Sequence, residues 1–304
     1  AAGGTRFWHY ADSQAAITDA LRLSRGMSYK NALAGLSAGG GKAVILANPQ
    51  RAKPQELLEA FARAVDSLGG KYITAQDVGI SEADMVAVSK VTPHVAGLPG
   101  QGGDPGPYTA RGVFLGVKAA VKHALGTDDL NGVHVAIQGV GSVGGGLARY
   151  LAAEGAKLTL ADVDAQRAAD LARELGGQSV AADAIMTVEA DVFSPCALGA
   201  VLTDASVAAL KVRAVAGGAN NQLATGSEGR MLADRGILYA PDYVINAGGI
   251  INVLRQIENA DDAEINRRVD GIAGRLAAIW NESDSTGKTP AEVADNMAQK
   301  LIGR

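Results

Sequence analysis

The run Val133-His-Val-Ala-Ile-Gln138, followed at once by Gly139-Val-Gly141-Ser-Val-Gly144, constrains this chain more than any other feature. A short apolar run rich in β-branched residues reads as a buried parallel strand. The glycines then open a helix whose apolar side carries Leu147, Ala148 and Leu151. One glycine makes the tight turn, the next admits a pyrophosphate close to the backbone, and the third lets helix pack on strand. The N–H groups and positive dipole end of that helix form an anion site. Alone, this glycine pattern is a weak signal. Here a second strand, Lys157-Leu-Thr-Leu-Ala161, ends in Asp162 about 20 residues on, where a ribose-binding acid belongs. Strand, turn, helix, strand and acid in register predict a dinucleotide site built from Gly139, Gly141, Ser142, Val143, Gly144, Asp162 and the adjoining Val163.

The acid also selects the coenzyme. A carboxylate hydrogen-bonds the ribose hydroxyls of NAD and repels the 2′-phosphate of NADP. Arg167 lies close by in sequence and softens that preference; the expected cofactor is NAD.

A chain of 304 residues suggests two domains with ample core. The net charge of −4 argues against a nucleic-acid footprint or a polybasic membrane patch. Cys196, the sole cysteine, excludes an internal disulfide and fits a reducing compartment, so a soluble cytoplasmic protein is expected. No apolar run approaches the length of a membrane span, and no signal peptide precedes the fold. His9, His94, His123 and His134 lack metal-ligand spacing, and no metal site is expected.

Taken in order, the chain opens on Gly3-Gly-Thr-Arg6 with no strand or helix leading into the glycine pair. Helical spacing covers residues 12–25, and a second short helical stretch runs through Met27 and Lys30 to about Leu36. Ala43–Ala47 and Lys71–Thr74 read as strands, the second leading to Asp77, and Pro54 as the first residue of a helix Gln55–Leu68. Ser81 and Asp84 form a capping pair. A glycine- and proline-rich loop at 97–108 precedes a helix from Thr109 to Leu125. Beyond it strands and helices alternate, with later strands at Asp191–Ser194, Arg213–Ala216 and Ile237–Ala240, which predicts a doubly wound parallel sheet. After Asn246 the pattern is helical, ending in a helix capped by Thr289, Pro290 and Glu292. The expected fold is α/β with two domains. An N-terminal α/β substrate domain spans 1–110, a Rossmann-type NAD-binding domain 111–245, and helices 246–304 return to the first domain.

Lys30 lies on a helical stretch, and Lys42 follows three glycines. Most lysines simply face water, but a glycine triplet costs conformational entropy and needs a reason. Two ammonium groups in one pocket lower each other's pKa, so one serves as base while the other holds a carboxylate. Asp77, before Val78-Gly79, is by spacing either a turn former or a proton relay beside the lysines. Asn220-Asn221 is either a turn or a ligand contact at the carboxyl edge of the sheet. Cys196, without a histidine nearby in sequence, reads as a small pocket-wall residue rather than a nucleophile.

Several blocks in order along nearly the whole chain resemble the glutamate/leucine/phenylalanine/valine dehydrogenase family, and within it the leucine dehydrogenase branch. They are Gly3–Arg6, Met27-Ser-Tyr-Lys-Asn31, Gly39-Gly-Gly-Lys42, Tyr72-Ile-Thr-Ala-Gln-Asp-Val-Gly79, Ser194-Pro-Cys-Ala-Leu-Gly199, Gly218-Ala-Asn-Asn-Gln222 and Ala240-Pro-Asp-Tyr-Val-Ile-Asn-Ala-Gly-Gly249.

The resemblance implies reversible oxidative deamination of an L-amino acid by NAD and water. It implies that Lys30 binds the substrate carboxylate, Lys42 is the general base and Asp77 relays protons. Gly3 and Gly4 would line the substrate pocket with backbone groups, and Asn220 and Asn221 would orient nicotinamide and substrate. Thr109, Cys196 and Ala197 would lie near the ring. Ala2, Ala75, Ile250 and Val253 would form an apolar side-chain pocket favouring leucine, valine or isoleucine. A phenylalanine preference is the alternative, since Ala2 stands where leucine-type enzymes carry a larger residue; an inactive NAD(H)-binding module is the other. Family members carry a few dozen residues before the glycine pair, so an N-terminal part of the first domain is expected to be missing. They also imply a homo-oligomer, with small molecules as the other partners and no nucleic acid or membrane.

Overall fold

Two separate parallel sheets organise the protein, whose computed structural model describes residues 1–48, 53–99, 104–197, 199–253 and 258–303. One compact unit comprises Ala1–Pro105, Asn252–Ile265 and Ala298–Arg304; the other comprises Gly106–Ile251 and Asn266–Met297.

The first unit holds a three-stranded sheet in the order β2-β1-β3, from β1 (Ala2–Trp8), β2 (Ala43–Leu46) and β3 (Ile73–Gln76). The glycine pair lies inside its central strand, contrary to the expectation that no element leads into it. Glycine is a poor strand former, and its presence there marks close backbone approach. Helix α1 (Ser13–Leu33) is continuous, where the sequence suggested two pieces. Gly26 between them is exposed and leaves the hydrogen-bond ladder intact, costing propensity rather than breaking the helix. Asp12 caps α1 by accepting from Ala15 N at 2.7 Å. Helices α2 (Gln55–Asp66) and α3 (Glu82–Ser89) bury Leu58, Ala62, Met85 and Val88 with Phe7, and the Ser81–Asp84 capping box is formed. Pro54 caps α2 rather than occupying its first turn.

The second unit begins with α4 (Gly106–Leu125), three residues earlier than expected; residues 100–103 of the preceding loop lie outside the described residues. Its six strands are all parallel: β4 (His134–Gln138), β5 (Lys157–Ala161), β6 (Gln178–Ser179), β7 (Val192–Pro195), β8 (Ala214–Val215) and β9 (Leu238–Tyr239). Their order, β6-β5-β4-β7-β8-β9, reverses direction between β4 and β7, the topological switch point where such sheets bind ligands. Helices α5 (Ser142–Ala153) and α6 (Ala165–Leu175) follow β4 and β5.

The C-terminal helices divide differently from expectation. Residues 252–265 and 298–304 belong to the first unit, but 266–297 belong to the second. Trp280 explains why: fully buried, it donates from Nε1 to Tyr239 O at 2.9 Å, so this helix is part of the sheet unit's core. The final helix (Pro290–Leu301) carries the expected box, Thr289 N to Glu292 Oε2 at 2.7 Å and Glu292 N to Thr289 Oγ1 at 3.2 Å. Among the described residues no helix is long and apolar enough to cross a membrane.

Candidate active site

In the first unit the strand register brings Lys42 and Asp77 together. Thr5 of β1 pairs with Ala43 at the start of β2 on one side and with Gln76 at the end of β3 on the other. The residues just outside those strands, Lys42 and Asp77, therefore meet near the middle of β1, with Lys42 Nζ 2.7 Å from Asp77 Oδ2. Their side chains are 12% and 19% exposed, so the charges are largely withdrawn from water yet reachable. Glycine makes the approach possible: a Cβ on Gly4 would lie 2.9 Å from Asp77 Cβ, and one on Gly40 only 1.9 Å from Ser28 N. The Gly39–Gly41 loop is stitched to β1 by Ala2 N to Gly39 O (2.8 Å) and Gly41 N to Ala2 O (3.1 Å), and to α1 by Asn31 Nδ2 to Gly39 O (3.0 Å).

Burial pushes the Asp77 carboxyl up, but the Lys42 ammonium, the Val78 N–H and the Arg6 guanidinium outweigh it and hold it below the ordinary value of 3.8. Arg6 Nε is 3.7 Å from Asp77 Oδ2, and its Nη1 is 3.1 Å from Asp19 Oδ2, which also accepts from Tyr10 Oη at 2.6 Å. Tyr72, whose hydroxyl is kept protonated mainly by burial, donates to Gly3 O (2.8 Å). Arg6, Asp19 and Tyr72 were not singled out from sequence, although Arg6 and Tyr72 sit inside the blocks quoted above.

The remaining residues of this half fall as follows. Lys30 is half-buried in the last turn of α1, where a cation also complements the helix dipole. That turn abuts the glycine loop through Asn31, so the helix carrying Lys30 and the loop leading to Lys42 are locked together. Gly3 and Gly4 are buried, Ala75 is half-buried opposite Gly4, and Ala2 is 2% exposed, its methyl covered by the protein. Val253 is half-buried and belongs to this unit.

In the second unit the glycine turn closes β4 onto α5. Gly139 has φ +87°, and a Cβ on Gly144 would lie 1.9 Å from Gly139 O. A Cβ on Gly141 would meet nothing within 4 Å, and no side chain caps α5, so bare backbone borders open space at the helix N-terminus. That cradle fits a pyrophosphate, whose charge the helix dipole favours. Asp162, at the end of β5, accepts from Val140 N at 2.8 Å and Asp164 N at 2.9 Å. Burial raises its pKa, but those N–H donors and the Arg167 charge prevail, and the carboxyl stays ionised. Each of its oxygens retains a lone pair for a ribose hydroxyl. Val163 is exposed beside it.

At the end of β7, Cys196 Sγ accepts from Gly218 N at 3.4 Å. Burial pushes the thiol up, so it is a poor nucleophile. Ala197 packs on Gly139. Thr109 and Ile250 are half-buried on helices of this unit. Asn220 Oδ1 accepts from buried Asn246 Nδ2 at 2.8 Å, while Asn221 adopts φ +50°. Beneath that loop Gln222 Nε2 donates to Gly217 O (2.8 Å) and Ala219 O (3.0 Å), and Asp242 Oδ2 accepts from Gln222 N (3.0 Å). These supporting groups had no assigned role; the partners of Asp242 and Asn246 lie 20 or more residues away in sequence.

Comparison with known proteins decides the class. The Glu/Leu/Phe/Val dehydrogenase dimerisation-domain model matches residues 1–94, and the glutamate/leucine/phenylalanine/valine dehydrogenase model matches 159–297. The chain belongs to the glutamate/leucine/phenylalanine/valine dehydrogenase family. It is 44% identical over 307 residues to leucine dehydrogenase of Bacillus subtilis, covering 100% of this chain and 84% of that protein. It is 41% identical to phenylalanine dehydrogenase of Bacillus thermotolerans, over 99% and 81% of the two chains. The crystal structure of L-tryptophan dehydrogenase from Nostoc punctiforme superimposes with a TM-score of 0.90 at 43% identity, covering 99% of this chain and 88% of that one. The protein is therefore an amino acid dehydrogenase with a two-domain α/β fold.

Proposed function

We propose that the enzyme catalyses NAD-dependent, reversible oxidative deamination of a branched-chain or aliphatic L-amino acid (leucine, valine or isoleucine) to the 2-oxo acid, ammonia and NADH. The observation that carries this reading is the Lys42–Asp77 pair at 2.7 Å. A lysine acts as a base only once its proton has left, and Asp77, held ionised beside it, is the relay that passes the proton on rather than the group that keeps it. Lys42 then removes a proton from the water that attacks the imino acid, and Asp77 passes protons to and from the amino nitrogen. Lys30 holds the α-carboxylate as a fixed cation. Gly139, Gly141, Ser142, Val143 and Gly144 hold the pyrophosphate, with Asp162 on the ribose and Thr109, Cys196, Ala197 and Asn220 beside the ring. Bound there, NAD supplies the hydride acceptor. Asn221 contacts substrate, and Ala75, Ile250 and Val253 keep the side-chain pocket free of charge, without Ala2, whose methyl is covered by the protein.

An aromatic preference is the second reading, because relatives named for leucine, phenylalanine and tryptophan match this chain at similar identity. One methylene is worth about 1–3 kcal/mol in an apolar pocket, so overlap among substrates is expected. Absorbance of NADH during oxidation of leucine, valine, isoleucine, phenylalanine and tryptophan tests both. The reading requires kcat/KM to be highest for the aliphatic substrates. The opposite order establishes the aromatic alternative, and NADH binding without turnover of any substrate reduces the chain to a coenzyme-binding module. The match of 1–94 to a dimerisation domain supports a homo-oligomer, which light scattering on the purified protein measures. A lone cysteine is in keeping with work in a reducing cytoplasm.

A further inference from the structure

Asp162 is not the only carboxylate at the ribose end of the glycine turn. Two residues on, Asp164 caps α6, its Oδ1 accepting from Arg167 N at 3.1 Å. Its other oxygen, Oδ2, is 3.3 Å from Arg167 Nη2, while Arg167 Nη1 is 3.8 Å from Asp162 Oδ1. The one guanidinium next to the ribose-reading acid is thus shared between two carboxylates. The Arg167 and Asp164 side chains are about half exposed, so an incoming anion has access to both.

We infer that Asp164 is a specificity-determining residue: it occupies Arg167 and so denies a 2′-phosphate the cation that would otherwise receive it. The inference rests on the assignment of Asp162 to the coenzyme ribose. An arginine beside that ribose is the usual means of accommodating the extra phosphate of NADP, and Arg167 is within reach of the position. Its planar fork suits a phosphate, but a fork held by two carboxylates must surrender those contacts first. Asp164 acts by holding the guanidinium away from the phosphate. With both carboxylates present, the preference falls to NADH although an arginine is in place. Without the Asp164 charge, the same arginine turns toward NADPH.

Asp164→Asn separates the two roles of the residue. Asparagine caps helices as well as aspartate, so α6 keeps its N-terminal acceptor while the charge is lost. Fluorescence titration of the full chain with NADH and with NADPH, in the absence of amino acid, gives the ratio of the two dissociation constants without any turnover. Asp164→Asn is expected to shift that ratio toward NADPH by about fivefold, the size of one exposed ion pair. Adding Arg167→Ala to Asp164→Asn is expected to abolish the shift. An unchanged ratio in Asp164→Asn overturns the inference, as does a shift that persists in the double variant. Asp162→Asn tests the underlying assignment separately. If it leaves NADH affinity intact, the ribose reading itself is lost; if it weakens NADH while Asp164→Asn changes nothing, only the role of Asp164 is lost.

Discussion

Lys42 Nζ and Asp77 Oδ2 lie 2.7 Å apart although their strands are separated by the whole width of β1. The contact exists because β2 begins, and β3 ends, at the level of Thr5. Glycines in β1 and in the loop before β2 remove the side chains that would intervene. The ammonium and the carboxylate are thereby placed by backbone register.

Lys42→Ala is expected to lower kcat by about 10²-fold or more, the usual contribution of a positioned acid–base group, while NADH binding measured by fluorescence persists. Asp77→Asn is expected to lower kcat similarly, because it removes the proposed proton relay and takes the carboxylate from a largely buried ammonium. Turnover retained by either variant removes that residue from the proposed chemistry.

Arg6 supplies the second positive charge at Asp77. Lys42 and Arg6 are the charged groups that lower this carboxyl, which in turn helps to raise the Tyr72 hydroxyl. Because the Asp77 carboxyl is held below 3.8, its ionised form favours the folded state above that pH, and the contribution disappears as pH falls through the lower native value. Arg6→Gln is expected to raise the Asp77 pKa and move the acid-side loss of stability to higher pH, with Arg6→Lys closer to the parent. Melting temperature followed from pH 7 to pH 3 measures the displacement; superimposable curves would show that Arg6 serves Asp19 alone.

The switch-point half of the molecule was readable from sequence because its signals are local. A β-branched run, a glycine turn and an acid at fixed spacing each follow from backbone requirements within a few residues, as do the Ser81–Asp84 and Thr289–Glu292 boxes. The first half was less readable for the opposite reason. Gly3 and Gly4 argue against a strand by propensity, yet tertiary packing places them in the central one. Arg6, Asp242 and Asn246 fall inside the quoted blocks but, like Asp19, show no role locally; their roles arise from partners farther along the chain. Trp280 likewise gives no sign in sequence that its helix belongs to the sheet unit.

Asn246 clamps the Asn220 loop from below: its Nδ2 donates to Asn220 Oδ1 at 2.8 Å and to Gly218 O at 3.2 Å. Asn246→Ala removes both of these bonds from a buried side chain, each worth about 0.5–1.5 kcal/mol. The expected outcome is a protein with lowered melting temperature whose kcat/KM falls more than its NADH affinity, since Asn220, proposed to orient the reactants, loses its support. An equal fall in both would place Asn246 in stability only.

The glycine turn offers a contrast between two substitutions of identical chemistry. A Cβ at Gly144 would stand 1.9 Å from Gly139 O and 3.0 Å from Cys196 Cβ, so Gly144→Ala must push β4, α5 and the β7 end apart. Its expected effect is a melting temperature lowered by several degrees, corresponding to about 1–3 kcal/mol of overpacking. Gly141 has φ −69° and faces open space, so Gly141→Ala fits the fold without strain. Its methyl would stand where the pyrophosphate approaches the backbone, and the expected effect is a normal melting temperature with NADH affinity reduced by about tenfold or more. Parallel thermal melts and NADH titrations of the two variants decide the matter: unimpaired NADH binding by Gly141→Ala would move the coenzyme away from this turn.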